Sequence, residues 1–413
     1  MKKTLFLFLL ILVFPSDIRQ ASTHIDSTAV IPSPASTPPL KSIEAYKETL
    51  TAHGINLDDQ GVLIETVDGH ALGEHNADTV FNPASVMKLV TSYVALSCFG
   101  PDHRYRTNFL VDGSIDAKSR KLTGDLVVEG GFDPMFSTFD AQEAAAALMR
   151  AGIARVTGSL RISGGFYFFA RGYHSNLSCE TSAAKLRQAF ERAGIHIEGA
   201  TQFGEKSGRA VVAHYSDELA HLLLYQNAHS SNAIAEVIGE SLGGPQSIQE
   251  QLTSGLKLRG DEIYIGHASG LEFNRMTPRA SLKVLRAMID LLSRYSLRLE
   301  DVMAVAGVDS GTLKGRLADE RVRASIIAKT GTLASFDRGV SALVGIAQTK
   351  RGPLLFAIFN SNGSVNGYRR SQDQFVEQFV EEAGGPSRAV RTEDALLDET
   401  PHSITQLITE ANR

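Results

Sequence analysis

The chain has 413 residues, enough for more than one folding unit, and its apolar (43%) and charged (21%) fractions are those of an ordinary globular protein, which excludes wholesale disorder. Its 41 basic and 46 acidic residues leave a formal charge of −5 with no basic patch, which argues against nucleic acid as a partner. Cys98 and Cys179 are too few for a zinc site, and no histidine pair has ligand spacing, so neither a metal nor a cofactor is required.

At the start, Met1-Lys2-Lys3 followed by the apolar run Leu5 to Phe14 reads as a signal peptide over residues 1–22, the run being too short to span a bilayer comfortably. No later stretch is apolar enough to cross a membrane. The mature protein is therefore expected to be exported, to the periplasm, with at most peripheral membrane contact. In that compartment Cys98 and Cys179 have the option of pairing, but the expectation is two separate buried thiols.

Residues 23–41, with Pro32, Pro34, Pro38 and Pro39, read as a Pro/Ser-rich linker. A helix is expected over Ser42 to Ala52. A strand from Gly61 to Val67 then pairs with His70 to Ala77 across the Asp68-Gly69 turn. The next helix begins near Pro83, carries Met87, Val90, Val94 and Leu96 at helical spacing, and stops at Gly100-Pro101.

From Tyr105 to Val212 short strands and Gly-rich turns dominate, and this segment is expected to be an inserted strand-rich subdomain over 105–212 with a core of its own. Leu122-Thr-Gly-Asp-Leu-Val-Val-Glu-Gly-Gly131 and Val156-Thr-Gly-Ser-Leu-Arg-Ile-Ser-Gly-Gly165 share the order Thr-Gly-x-Leu, strand, Gly-Gly, and read as a small internal repeat. Helices are expected over 141–152 and 183–194, and again through most of Ser216 to Ser293. The strands Ala324 to Thr332, Gly339 to Gln348 and Pro353 to Asn360 follow in short order, which predicts an antiparallel sheet. A helix over Arg369 to Gly384 closes the fold, and residues 387–413 read as a polar tail. The fold class is α/β in the α+β sense: an antiparallel sheet flanked by helices, built from 42–104 and 213–386, with the insert between.

Three short motifs carry chemistry. Ser85-Val-Met-Lys88 places a hydroxyl and an amine at i and i+3, one face of the helix that starts at Pro83. A serine needs a base to become a nucleophile, and a lysine serves as base only where burial or nearby positive charge lowers its pKa. Ser230-Ser231-Asn232 opens a helical run, where a serine is otherwise just an N-cap. Lys329-Thr330-Gly331-Thr332 lies at the end of a strand, where Lys and Thr suit a carboxylate and Gly admits a ligand backbone. Each is common alone, and the set in this order is not. Ser-x-x-Lys, Ser-Asp-Asn and Lys-Thr-Gly form a known catalytic combination in penicillin-binding proteins and class A β-lactamases.

With their surroundings these motifs resemble the D-alanyl-D-alanine carboxypeptidases/endopeptidases, the class C low-molecular-mass penicillin-binding proteins. The likeness is carried by Phe81-Asn-Pro-Ala-Ser-Val-Met-Lys-Leu-Val-Thr91, Gly124-Asp-Leu-Val-Val-Glu-Gly-Gly-Phe-Asp-Pro134, Ser269-Gly-Leu with Asn274 and Thr277-Pro278, Gly311-Thr-Leu-Lys314, and Ala328-Lys-Thr-Gly-Thr-Leu333. It runs from about Ser42 to Gly384. The resemblance implies a penicillin-binding/β-lactamase-like serine transferase fold and hydrolysis of D-Ala-D-Ala peptides of peptidoglycan. It further implies an acyl-enzyme on Ser85 and covalent inhibition by β-lactams. It implies Lys88 as general base, and Ser230 as proton relay to the leaving amine, helped by Lys329. Asn232 would hold the substrate amide, Lys329 and Thr330 the terminal carboxylate, and the amides of Ser85 and Thr332 the oxyanion, with Gly331 and Thr332 also lining the substrate site.

Four departures stand out: Ser231 in place of Asp, an insert shortened around Phe166 to Thr181, an extra stretch Ala334 to Arg338, and Glu272 in place of a small residue. A β-lactamase is the nearest alternative, since Glu272 and Asn274 superficially resemble the class A deacylation pair. A non-catalytic peptidoglycan- or β-lactam-binding protein is the other. The intact Ser85, Lys88 and Lys329 argue against it.

Overall fold

A computed structural model describes residues 39–169, 178–397 and 402–408. The signal peptide, nearly all of the linker, much of the expected shortening around Phe166 to Thr181 and the last residues of the chain lie outside the described residues.

The part of the chain that carries the three motifs is organised by a five-stranded antiparallel sheet. Its order is Ile326–Leu333, Val340–Thr349, Gly352–Asn360, Gln60–Thr66, Ala71–His75. The middle strands are apolar on both faces because both faces are covered. Successive side chains point to opposite sides, so Leu63, Val344, Leu355, Ala357 and Phe359 enter one core with the helices Met87–Phe99, Leu219–His229 and Pro278–Ser293. Val62, Ile64, Leu343, Phe356 and Ile358 enter a second core with the helices Ser42–Ala52 and Val365–Glu382. Each large side chain fully buried in this way contributes about 1.5–3 kcal/mol. The strand Ile326–Leu333 lies at the sheet's edge, where Ala304 to Ala306 bond its first residues (Ala306 N to Ile326 O 2.9 Å, Ala328 N to Ala304 O 3.2 Å) and leave the Lys-Thr-Gly-Thr end for a ligand.

Residues Arg106–Tyr215 build a second, mixed sheet with its own core of Phe109, Leu126, Val128, Phe136, Leu148, Leu160, Phe190 and Val212 under the helices Thr138–Arg150 and Cys179–Arg192. The two Thr-Gly-x-Leu segments lie side by side as parallel strands in register, Leu126 opposite Leu160 and Gly131 opposite Gly165. A repeated sequence thus becomes a repeated strand.

Four expectations are corrected. The sheet of the insert runs to Tyr215 rather than Val212. The end of the linker is docked: Leu40 is buried, and its N–H donates to Leu72 O (2.8 Å). Residues 387–413 are not simply a polar tail. Val390 N donates to Ala324 O, Arg391 pairs with Asp309 (3.2 Å), and Ile404–Leu407 adds a strand to the insert beside Arg209–Tyr215. Ser403 Oγ donates to Asp140 (2.6 Å), and Thr405 Oγ1 lies 2.9 Å from Nδ1 of buried His214. The polar residues of this segment therefore have specific partners. Both cysteines are free thiols, but Cys98 is exposed, not buried, and lies against Gln251. Among the described residues no helix is long and apolar enough to cross a membrane.

Candidate active site

The chain enters the site through Phe81-Asn82-Pro83. Asn82 accepts from Ala84 N (3.0 Å) and donates to Glu272 O (3.0 Å), which ties the turn before Ser85 to the loop after Ser269. Ala84 has a φ of 46°, an uncommon conformation for a residue with a Cβ. The partner loop presses close: a Cβ on Gly270, whose φ is 83°, would lie 1.9 Å from Ala84 O. Only glycine fits there. Ser85 then sits in a short 3-10 turn, Ala84–Val86, that runs into the helix Met87–Phe99.

Lys88 is fully buried, and its Nζ has three neighbours: Ser85 Oγ at 3.1 Å, Asn232 Oδ1 at 2.7 Å and Ser269 O at 2.7 Å. Burial pushes its pKa down to about 7, against the opposing pull of Glu236. A neutral amine has two N–H groups and one lone pair. Asn232 Oδ1 and Ser269 O are acceptors and use both N–H groups, so the lone pair is left facing the Ser85 hydroxyl. Glu236, one helical turn beyond Asn232, accepts from Ser269 N (2.9 Å) and so fixes the carbonyl that orients Lys88.

Ser230 ends the helix Leu219–His229 in the left-handed conformation (φ 55°). Ser231 caps the next helix, Asn232–Ser241, by accepting from Ile234 N. Capping explains why Ser serves where the motif has Asp, since both cap well. The N-cap serine of this run is Ser231, and Ser230 Oγ accepts from Lys329 Nζ (2.9 Å). Lys329 is fully buried and also donates to Thr330 O (2.8 Å). Burial first, and then the charge of Lys88, hold its pKa well below the usual lysine range. Thr330 Oγ1 donates to Thr312 Oγ1 (2.9 Å), whose own N–H donates to Ala228 O. A Cβ on Gly331 would lie 2.5 Å from Pro83 O, so this glycine lets the sheet edge approach the turn that carries Ser85.

The structure thus brings Ser85, Lys88, Ser230, Asn232, Lys329, Thr330 and Gly331 together, with Thr332 next along the strand. Sequence reasoning gave no role to Asn82, Glu236, Ser269, Thr312 or Arg369, which donates to Thr332 Oγ1 (2.8 Å). Asn82 and Ser269 lie inside quoted motifs, and Glu236 stands at i+4 from Asn232. Arg369 carries no local signal.

Glu272 and Asn274 do not form a deacylation pair. Asn274 is buried and staples its loop, accepting from the amides of Gly266 (2.9 Å) and His267 (3.1 Å), while the Glu272 carboxylate lies out toward His267 (3.5 Å). The extra stretch Ala334 to Arg338 forms a turn held by Arg275 on Asp337 (3.4 Å), with Phe336 exposed. A separate cavity of about 550 Å³, lined among others by Asp140, Phe168, Lys185, His221 and Tyr225, includes none of the motif residues. Among the described residues no group of three or more His, Cys, Asp or Glu side chains is placed to hold a metal ion.

Comparison with known proteins agrees with this geometry. A D-alanyl-D-alanine carboxypeptidase of Actinomadura sp. (strain R39) is 27% identical over 224 residues, 48% of this chain and 40% of that protein. The chain therefore matches about two fifths of the length of this curated relative. A predatory endopeptidase from Bdellovibrio bacteriovorus, solved with an immunity protein, superposes with a TM-score of 0.68 at 20% identity, covering 84% of this chain and 99% of that one. Its penicillin G-acylated form gives 0.66 at 21% identity, covering 81% and 95%. Penicillin binding protein 4 from Haemophilus influenzae gives 0.66 at 19% identity, covering 79% and 99%. These structures share the fold, with its sheet, flanking helices and insert. The profile of the D-Ala-D-Ala carboxypeptidase 3 (S13) family matches residues 44–167 and 176–381, nearly the whole of the fold that assembles Ser85, Lys88, Ser230 and Lys329, and the chain belongs to that family.

Proposed function

We propose that the protein is a serine D-Ala-D-Ala peptidase that cleaves stem peptides of peptidoglycan through an acyl-enzyme on Ser85, and that β-lactams block it by acylating the same oxygen. The observation that carries this reading is the environment of Lys88: a buried amine 3.1 Å from Ser85 Oγ whose two other neighbours, Asn232 Oδ1 and Ser269 O, are both acceptors. Ser85 Oγ bonds to the carbonyl carbon of the penultimate D-alanine as its proton passes to Lys88 Nζ. The C–N bond then breaks, and the departing amine takes a proton through Ser230, the hydroxyl that Lys329 holds. The amides of Ser85 and Thr332 receive the oxyanion. Water afterwards splits the ester, returns the serine proton and frees the shortened peptide. Thr330, Gly331 and Thr332 form the strand edge that takes the carboxylate end.

Membership of the S13 family supports this reading, and so does the penicillin G-acylated state of the structurally similar endopeptidase. The apolar run at the N-terminus supports export, which would place the enzyme beside its polymer.

Digestion of intact, crosslinked peptidoglycan with the purified protein, with products separated by mass, tests the proposal. Stem peptides shortened by one D-alanine, or crosslinked dimers converted to monomers, are the expected products, and their ratio gives the balance of carboxypeptidase and endopeptidase action. Peptidoglycan unchanged by a protein that penicillin still labels would show a binding protein instead.

A further inference from the structure

Arg369 stands in the second turn of the helix Val365–Glu382, half-buried, with Nη2 donating to Thr332 Oγ1 (2.8 Å). The nearest carboxylate is already taken. Arg316 grips Asp373 through Nε (3.1 and 3.2 Å) and Nη2 (2.6 Å), and it also donates to the carbonyl of Arg369 (3.2 Å). Among the described residues Arg369 makes no ion pair of its own, and a second guanidinium lies beside it. Burial and the charge of Arg316 hold its pKa below the usual arginine range, with Asp373 opposing. An arginine nonetheless stays protonated. Lys329, by contrast, is fully buried and its Nζ is committed to Ser230 Oγ (2.9 Å) and Thr330 O (2.8 Å). Arg369 is thus a guanidinium bonded to Thr332 at the end of the Lys-Thr-Gly-Thr strand with no carboxylate of its own among the described residues, and a half-buried cation without a counter-charge is stabilised by an arriving anion.

We propose that Arg369 is a specificity-determining residue that, with Thr330 and Thr332, binds the free carboxylate next to the scissile amide nitrogen. The inference rests on the peptidase reading given above. A terminal D-alanine presents that carboxylate, and penicillin carries one next to its β-lactam nitrogen, so both react at Ser85 with a negative group on the Arg369 side of the cleft.

The test compares acid with neutral ligands in wild type, Arg369→Gln and Arg369→Lys. One pair is a D-Ala-D-Ala peptide and its C-terminal carboxamide, read as kcat/KM. The other is benzylpenicillin and its methyl ester, read as the acylation rate by intact-protein mass. Charged hydrogen bonds of this kind are worth about tenfold to hundredfold. The preference of the wild type for the acid is expected to fall by about that factor in Arg369→Gln, chiefly through KM for the peptide, and to be partly restored in Arg369→Lys. Parallel slowing of acid and neutral ligands, with the preference unchanged, would overturn the inference and leave Arg369 as a support for the strand. If the wild type is labelled by penicillin but cleaves neither peptide, the peptidase reading fails, and the penicillin pair still decides the role of Arg369.

Discussion

Ser85→Ala is expected to carry no covalent adduct after exposure to benzylpenicillin, whereas the wild type gains the mass of one penicillin. The loss should be complete, because the other hydroxyls of the cleft are differently placed. Ser230 Oγ is held by Lys329, Thr330 Oγ1 bonds Thr312, and Thr332 Oγ1 accepts from Arg369. Ser85 alone faces the lone pair of Lys88. Its side chain has little part in the fold: it lies in a 3-10 turn whose geometry is set by Asn82 capping the amide of Ala84 and by the close approach of Gly270. The variant should therefore show the circular dichroism of the wild type. A well-folded Ser85→Ala protein that still gains one penicillin would place the nucleophile elsewhere.

Lys88→Met should slow acylation about a thousandfold, within the range by which a positioned general base accelerates proton transfer. Methionine fills much of the same buried space and keeps no nitrogen. The pH dependence separates a lost base from a lost shape. The Lys88 pKa is lowered to about 7 by burial, so the amine is protonated and without a free lone pair below that value and neutral above it. The wild-type acylation rate should rise with pH through a midpoint near 7, and the limb should vanish in Lys88→Met along with most of the rate. A wild-type profile that stays flat through neutral pH would show that Lys88 is not the base that titrates.

Much of the site was legible because its chemistry is local. Ser85 and Lys88 share a helix face by spacing alone, the Ser230-Ser231-Asn232 turn is a helix break written in its own residues, and Lys329 to Thr332 ends a strand with an obvious apolar pattern. The internal repeat was legible for the same reason, and its two copies pair in register. What sequence reasoning missed depends on contacts between distant segments. Ile404–Leu407 is four residues long and only alternately covered, and its partner strand lies far upstream, so no periodicity announces it. Leu40 ends a proline-rich stretch, and only the edge at Leu72 makes it part of the core. Arg369 sits on an amphipathic helix whose polar face looks like any solvated surface until Arg316 is seen to occupy Asp373. Glu272 and Asn274 show the reverse: residue types that superficially suggest chemistry are, in place, an outward-facing charge and a staple.

The most direct test of the account is to incubate the purified protein with a soluble stem peptide ending in D-Ala-D-Ala and follow the peptide by mass spectrometry. The account predicts loss of a single D-alanine, abolished by Ser85→Ala and by prior treatment with benzylpenicillin. An intact peptide, in a preparation that meanwhile hydrolyses penicillin with rapid turnover, would contradict it and identify the protein as a β-lactamase.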